Sequence, residues 1–524
     1  MASAKDRSVS ILAGAVIAAA IPFVTFVARF WWTCDDAFIS FRYAQHLARG
    51  DGLTFNPGES PPVEGFTNLG WTLYLACFQW FGANLPLVAN LTSSAAGLLL
   101  IALVVAFVRE QLDGDLTTTV TTGLFLATLP PLVLWSGSGL ETMPFALGVF
   151  GTFFFLRGEP DRRRTLLAAA CACDASLMRA DGPLWTAFVF AAVLLPWFAH
   201  RRGAVLRAVL TAGAILTVVV LAQFLWRKSY FGQWLPNTAS IKAGFTERRL
   251  ARGWNYLVST VLAVPVLALV PATALACLGG ARRRLALQAG CFVLLGVAYP
   301  VFVGGDFMAM GRFFVPVLPF VAVLFAICVR TVRVAVLGWV YAGLMIALSC
   351  AGLYDALPVS PELRQRFHFR WNGPEARSEI EQWAFMKQQA ENWTLLGRAL
   401  GLYTKPGESL IRGNIGAVGY HSELVFLDLN GLVIPEVAAA AQPREVASPG
   451  HDRKVDESFF FDRHPTYRDA VLMPANAAPQ QVLPDYILRD LRAGRLKLER
   501  TPLDPARGFP PGVELWMLRF IWDR

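Results

Sequence analysis

The sequence predicts a polytopic α-helical membrane protein of about eleven transmembrane helices followed by a C-terminal soluble α/β domain. Three observations carry this expectation. The 524 residues are 55% hydrophobic and only 16% charged, with a mean hydropathy of +0.45, whereas a soluble domain has about a quarter of its residues charged. The apolar residues gather in runs close to the length a bilayer crossing needs. Short loops between the runs hold tight arginine clusters, as cytoplasmic loops do.

The first run, 9–32, follows Lys5 and Arg7. It is long for a signal-peptide core and lacks a small-residue cleavage site, so it reads as an uncleaved span. Further spans are expected near 85–108, 117–134, 140–157, 165–178, 182–199, 204–226, 254–279, 285–303, 313–329 and 334–352. The shortest, "TLLAAACACDASLM", contains Asp174. With the N-terminus inside, the clusters Arg162–Arg164, Arg201–Arg202 and Arg282–Arg284 fall on the cytoplasmic side. One loop, 227–253, disagrees: it would lie outside yet is basic, and is a candidate anion-binding element.

This topology puts the polar loops with recognisable patterns on one outer face. They are 33–84, "WSGSGLETMP", "MRADGP", "KSYFGQWLPNTASIKAG" and "GGDFMAMGR". The expected division is therefore a transmembrane domain, 1–352, whose external loop 33–84 carries the acidic motif, and an extracytoplasmic domain, 353–524. In the latter, "ARSEIEQWAFMKQQAENWTLLGRAL" has helical periodicity, and "ESLIRG", "LVFLDL", "DYILRD" and "VELWMLRF" read as strands. "GNIGAVGY" lacks the dinucleotide spacing and reads as a strand-to-helix turn.

The net charge of +9 comes without a basic stripe and interleaved aromatics, which excludes a nucleic-acid binder. Seven of the eight cysteines lie in or beside apolar runs, so no disulfide framework is expected beyond Cys350, and no Cys/His metal spacing occurs.

Adjacent Asp35 and Asp36 stand where the first span meets the outer face, before "AFISFRYAQHLA", which Gly50 should end. Neighbouring side chains diverge, so one carboxylate can face a reaction centre while the other caps this helix. Both as capping residues is an equal alternative. Glu64 can position a sugar hydroxyl or a metal, or pair with Arg42. Glu141 opens a span, where the helix dipole favours an acid; Arg179 and Asp181 can pair. Asp306 and Arg312 flank a loop in which Gly304 and Gly305 permit tight turns, and arginine suits phosphate. Asn237, Lys242 and His451 are further candidates, each also readable as a surface residue, the better reading for His451.

Taken together, "CDDAFISFRYAQHLARGDGLTFNPGE…VEGFTN", "SGLET", "RADG", "FGQWLPNTASIKAG", "GGDFMAMGRFFVPVLP", "LDLNGL" and "PGHDR" resemble the GT-C membrane glycosyltransferases, nearest the terminal β-(1→2)-arabinofuranosyltransferase family. The resemblance runs from about Trp31 to His451; Ala180 replaces the proline of the commoner "RPDG". It implies a monomeric enzyme of a bacterial plasma membrane. The enzyme would move D-arabinofuranose from a decaprenyl- or other polyprenyl-phosphoryl donor to an arabinan-like glycan acceptor on the outer face. Asp35 and Asp36 would then be the essential acids of the first external loop, one of them base or nucleophile. Arg312, Arg42 and Lys242 would offset phosphate charge. Glu64, Glu141 and Asp306 would hold sugar hydroxyls or a divalent cation, magnesium or calcium. Retention from a β donor to a β-linked product would need a double displacement or a same-face reaction. Alternatives are another sugar, a pilin-like protein acceptor, or a flippase for a polyprenyl-linked substrate. A flippase would predict charges within the spans and repeated halves.

Overall fold

A computed structural model of the chain describes residues 4–113, 115–195, 203–238, 246–280, 282–332, 334–370, 376–443, 448–451 and 453–522. In chain order its helices begin with α1 (Ala4–Arg29), α2 (Asp35–Arg49), α3 (Leu69–Trp80), α4 (Leu85–Gln111), α5 (Leu116–Thr128) and α6 (Pro130–Ser136). Then come α7 (Thr142–Leu156), α8 (Arg162–Met178), α9 (Gly182–Leu194), α10 (Gly203–Phe231), α11 (Glu247–Ala263) and α12 (Val266–Leu275). The helical region closes with α13 (Arg283–Val303), α14 (Leu318–Thr331), extended backwards by a 3₁₀ turn from Arg312, and α15 (Ala335–Leu353).

Each of the eleven apolar segments is largely helical over its described residues. Six helices are long and apolar enough to cross a membrane, or eight if each bent pair counts as one span. The pairs are α5–α6, bent by 61°, and α11–α12, bent by 90°. Prolines 130, 131 and 265 stand at these breaks, where a missing amide and a ring clash interrupt the helical ladder. The remaining segments, α7, α8 and α9, have 15, 17 and 13 residues and are short for a full crossing.

The segment 33–84, expected as a loop, contains two helices. Asp35 and Asp36 open α2, where the dipole favours acids. Gly50 ends it with φ 92°, its amide reaching back to the His46 and Leu47 carbonyls. The apolar helix α3 packs back against α4 and α8, with Gly70 against the Leu177 backbone. Trp80 and Phe81 at its end are 77% and 87% exposed, a pattern suited to a membrane interface.

Beyond α15 come α16 (Pro361–Arg366) and α17 (Glu379–Tyr403). A reciprocal capping box between Ser378 and Glu381 starts α17. A mixed sheet follows, built from β1 (Ser409–Arg412), β2 (Val425–Asp428), β5 (Tyr467–Pro474), β6 (Leu496–Pro502) and β7 (Val513–Phe520), in the order β2-β1-β5-β7-β6. β1 runs parallel to β2 and β5; β7 pairs antiparallel with β5 and β6. A two-residue ladder joins β3 (Gln442–Pro443) to β4 (Arg453–Lys454). "GNIGAVGY" is the expected turn, leading from β1 into the short α18 (Gly416–Tyr420). "DYILRD" is not a strand. It lies in the helix Asp485–Arg492, whose Ile487 and Leu488 are buried, and neighbouring Leu491 packs on the same cluster. That spacing serves a short amphipathic helix as well as a strand.

One hydrophobic cluster fills the helical bundle. A second joins Ile39, Tyr43 and Phe55 of the 33–84 segment to Leu400 of α17 and to Leu410 and Phe426 of the sheet. The 33–84 segment and the C-terminal sheet therefore share a core.

Candidate active site

Asp35 and Asp36 line a cavity of about 400 Å³. Its other walls come from the 304–312 loop through Phe307, from α17, from the turns after β1 and β2, and from the His451–Lys454 stretch. The two carboxylates are held differently. Asp35 Oδ1 accepts the Ala417 amide at 2.7 Å, and the α18 backbone presses so close that a Cβ on Gly416 would overlap the Asp35 carbonyl oxygen. Burial pushes the Asp35 carboxyl up to about 7. The Asp36 charge adds to the rise, while the Ala417 and Gly416 amides and the Arg412 charge oppose it. Asp36 instead stands in the field of Arg312.

Around Arg312 the structure assembles five predicted residues. Arg312 Nε meets Asp306 Oδ2 at 2.7 Å. Arg179 forks onto both Asp181 oxygens at 2.8 and 3.0 Å and lies 3.7 Å from Glu141 Oε1. Glu141 Oε2 also accepts from Asn68 at 2.9 Å. Burial would raise the Asp181 carboxyl, but the Arg179 charge and the hydrogen bonds from Arg179 and Trp185 hold it below the usual carboxylate range. Both guanidinium groups lie over the Phe313 ring, at 5.0 and 5.3 Å. Gly304 and Gly305, with φ 88° and 75°, turn the loop as their sequence suggests.

Other predicted residues lie elsewhere. Buried Arg42 does not face the cavity. Its guanidinium donates to the carbonyls of Phe55 (2.7 Å), Gly419, Ser422 (3.2 Å) and Leu424 (2.8 Å), tying α2 to the C-terminal region. The tie holds the guanidinium among backbone carbonyls rather than in the cavity, which corrects the phosphate role. Glu64 pairs with Arg227 at 2.5 and 3.2 Å rather than with Arg42. Asn237 Nδ2 donates to the Gly431 and Leu432 carbonyls at 2.6 and 3.0 Å, a second tie to the C-terminal region. These bonds also account for part of the basic 227–253 loop: Arg227 clamps Glu64, and buried Arg252 donates to the Gly304 carbonyl at 3.2 Å. Lys242 lies outside the described residues.

His451 does line the cavity, its ring 4.8 Å from that of Phe307 in an edge contact. Glu64, Glu141 and Asp306, named for a divalent cation, do not converge. Each is engaged by an arginine, and among the described residues no group of three or more His, Cys, Asp or Glu side chains is placed to hold a metal. These residues do not fit the ion.

Sequence reasoning missed the stretch between α16 and α17. Arg370 and Glu379 form a buried fork with both bonds at 2.8 Å. Arg370 Nε also donates to Phe307 O at 2.8 Å, and Glu379 accepts the Met310 amide at 2.6 Å. The pair thus fastens the 304–312 loop to α17. Arg377 lines the cavity with its guanidinium 4.0 Å from the Phe385 ring and no carboxylate partner among the described residues; exposed Lys454 likewise has none. The one sequence signal was an acid and two arginines, Glu375, Arg370 and Arg377, in the linker.

A second, almost wholly apolar space of about 760 Å³ lies between α11, α12, α13 and α14. A small chamber of about 40 Å³ separates it from the cavity. The chamber touches Leu262 on the groove side and His368, Arg370 and Arg377 on the cavity side.

No curated protein sequence is significantly similar to the chain. A family model described as a domain of unknown function (DUF8728) matches residues 380–504. Among solved structures, ArnT from Cupriavidus metallidurans bound to undecaprenyl phosphate is similar with a TM-score of 0.62 at 14% identity, over 98% of each chain. Its apo state gives 0.59 at 13%, over 96% of this chain and 97% of that one. The arabinofuranosyltransferase AftD from Mycobacteria, at a TM-score of 0.43 and 15% identity over 96% of this chain and 40% of that one, is too distant to bear on the fold. With its apolar helices and C-terminal sheet, the chain has the fold of the GT-C membrane glycosyltransferases.

Proposed function

We propose that the chain is a membrane glycosyltransferase that moves D-arabinofuranose from a polyprenyl-phosphate donor to a cell-envelope glycan at the outer face of a bacterial plasma membrane. The observation that carries this reading is one arrangement: two adjacent carboxylates in a polar cavity, with Arg377, which has no carboxylate partner among the described residues, between that cavity and the small chamber that adjoins an apolar groove. A lipid phosphate has this pairing of properties. ArnT, which shares the fold, is bound to undecaprenyl phosphate. Here the prenyl chain would lie in the α11–α14 groove and the phosphate beside Arg377, with Lys454 across the cavity.

Asp35 then takes the proton of the acceptor hydroxyl. That oxygen bonds to the anomeric carbon, and the bond from this carbon to the phosphate oxygen breaks. Polyprenyl phosphate leaves with the electron pair, its charge met by Arg377. Asp36 faces the reacting sugar from the Arg312 side, as stabiliser of developing positive charge or as nucleophile. The sugar identity rests on the motif resemblance.

Purified protein incubated with polyprenyl-phosphoryl arabinofuranose and a synthetic arabinan should transfer pentose. Asp35→Asn and Asp36→Asn should each lose on the order of 100-fold or more in kcat. Transfer from other lipid-linked sugars but not from this one refutes the sugar; full activity in both variants refutes the carboxylates. Product anomeric configuration, read by NMR, separates direct from double displacement.

A further inference from the structure

The cavity wall contributed by α17 has a composition unlike the rest of the site. Gln382, Phe385, Met386, Gln389 and Trp393 face the cavity, at helical positions i, i+3, i+4, i+7 and i+11, which places them along one stripe. Gln382 is only 7% exposed, yet its side-chain amide makes no hydrogen bond to any described residue, and it lines the open space. That amide borders the open space and is available to a visiting hydroxyl as donor and acceptor. Gln389 and the Trp393 indole N–H are likewise without a hydrogen-bond partner among the described residues, and exposed Asn414 lines the cavity after β1.

We infer that this stripe of α17 is the acceptor subsite and that it binds an oligosaccharide of at least two sugar units, resting on the glycosyl-transfer reading above. The stripe joins neutral amides, which bond hydroxyls as donor and acceptor at once, to flat rings, which pack on sugar C–H faces. It has no charge of its own. An anionic acceptor would find no cation on the stripe itself, and the Arg377 end, next to the chamber that adjoins the apolar groove, is assigned to the donor phosphate. Gln382 and Gln389 stand seven residues apart, about 10 Å along the helix, and Trp393 extends this to about 16 Å. That length exceeds one monosaccharide ring. A helix is also a stiff ruler, so preference for chain length follows from spacing rather than from loop adjustment.

The test uses the full-length protein in detergent or nanodiscs with synthetic arabinan oligosaccharides of one to four units. Wild type should gain in acceptor KM on passing from one unit to two, and gain little beyond three. Gln389→Ala and Trp393→Ala should each raise the acceptor KM on the order of tenfold, more than they raise the donor KM, and should remove the advantage of the second unit. Equal changes in donor and acceptor KM, or a wild type indifferent to length, overturn the inference while leaving glycosyl transfer standing. Direct binding of the same oligosaccharides to Asp36→Asn protein, followed by saturation-transfer NMR, separates the two claims. Binding weakened by Gln389→Ala, together with a wild type that transfers no sugar, refutes the reaction and keeps the subsite. Binding indifferent to Gln389 refutes the subsite.

Discussion

Two groups of cations flank the aspartate pair, and they differ in what already holds them. On the side of the helical bundle, Arg312 and Arg179 are taken by Asp306, Asp181 and Glu141 and lie over Phe313. On the side of α17 and β4, Arg377 touches a ring and Lys454 reaches solvent, neither with a carboxylate partner among the described residues. Charges that are buried and matched hold loops in place. To offer themselves to a phosphate they would have to leave an acid unpaired in a low-dielectric site, which is costly. The second group has no such debt. The arginine-rich loops that look most functional in the sequence are thus the frame, and the quieter stretch before α17 supplies the available charge.

The sharpest break of this comparison is at Arg42, the extreme case of a satisfied arginine. Arg42→Ala leaves buried carbonyls of Phe55, Gly419 and Leu424 without donors and should lower stability on the order of 3 kcal/mol. A fall in melting temperature and faster proteolysis within 353–524 are the readouts; an unchanged melting curve would mean that the two regions are not joined there. Next comes the contrast between Arg377 and Arg312. Arg377→Gln should raise the donor KM on the order of tenfold or more, since a charged hydrogen bond contributes about 1.5–3 kcal/mol, with the melting temperature nearly constant. Arg312→Gln should act mainly on stability and kcat by stranding Asp306. Reversed phenotypes would exchange the roles assigned to the two groups. The smallest effect is in pH. Burial raises the Asp35 carboxyl to about 7, and the ionised form is the base, so kcat should fall as pH drops below about 7 and level off above it. Asp35→Asn should abolish this limb; the same limb surviving in the residual activity would place the titration elsewhere.

Much of the fold was legible because bilayer crossings demand length and apolarity that composition cannot hide. The helix α3 was not, since its twelve residues fall short of a span and follow a loop rich in Pro and Gly. Strands β5 and β6 escaped for a related reason: "YRDAVLMP" and "LKLERTP" mix charges with apolar residues on a sheet that is only half covered. In the site, Asp35, Asp36 and His451 reach the cavity, and Glu141, Arg179, Asp181, Asp306 and Arg312 gather around Arg312, next to Asp36. Loop position alone could not tell which acids and arginines would satisfy one another. Arg42, Glu64 and Asn237 have the chemistry of ligands and are spent on holding the chain together. Gly416 shows the converse. Its glycine pattern looked like ordinary punctuation, yet the absence of a side chain is what lets α18 reach Asp35.

That contact also sets a time at which Asp35 becomes what it is. Its amide partner at Ala417 is 382 residues further along the chain, so during synthesis Asp35 emerges long before the backbone that buries and orients it exists. A nascent chain halted before residue 417 lacks the amide that orients Asp35. The completed polypeptide is the first form in which the pair can be told apart.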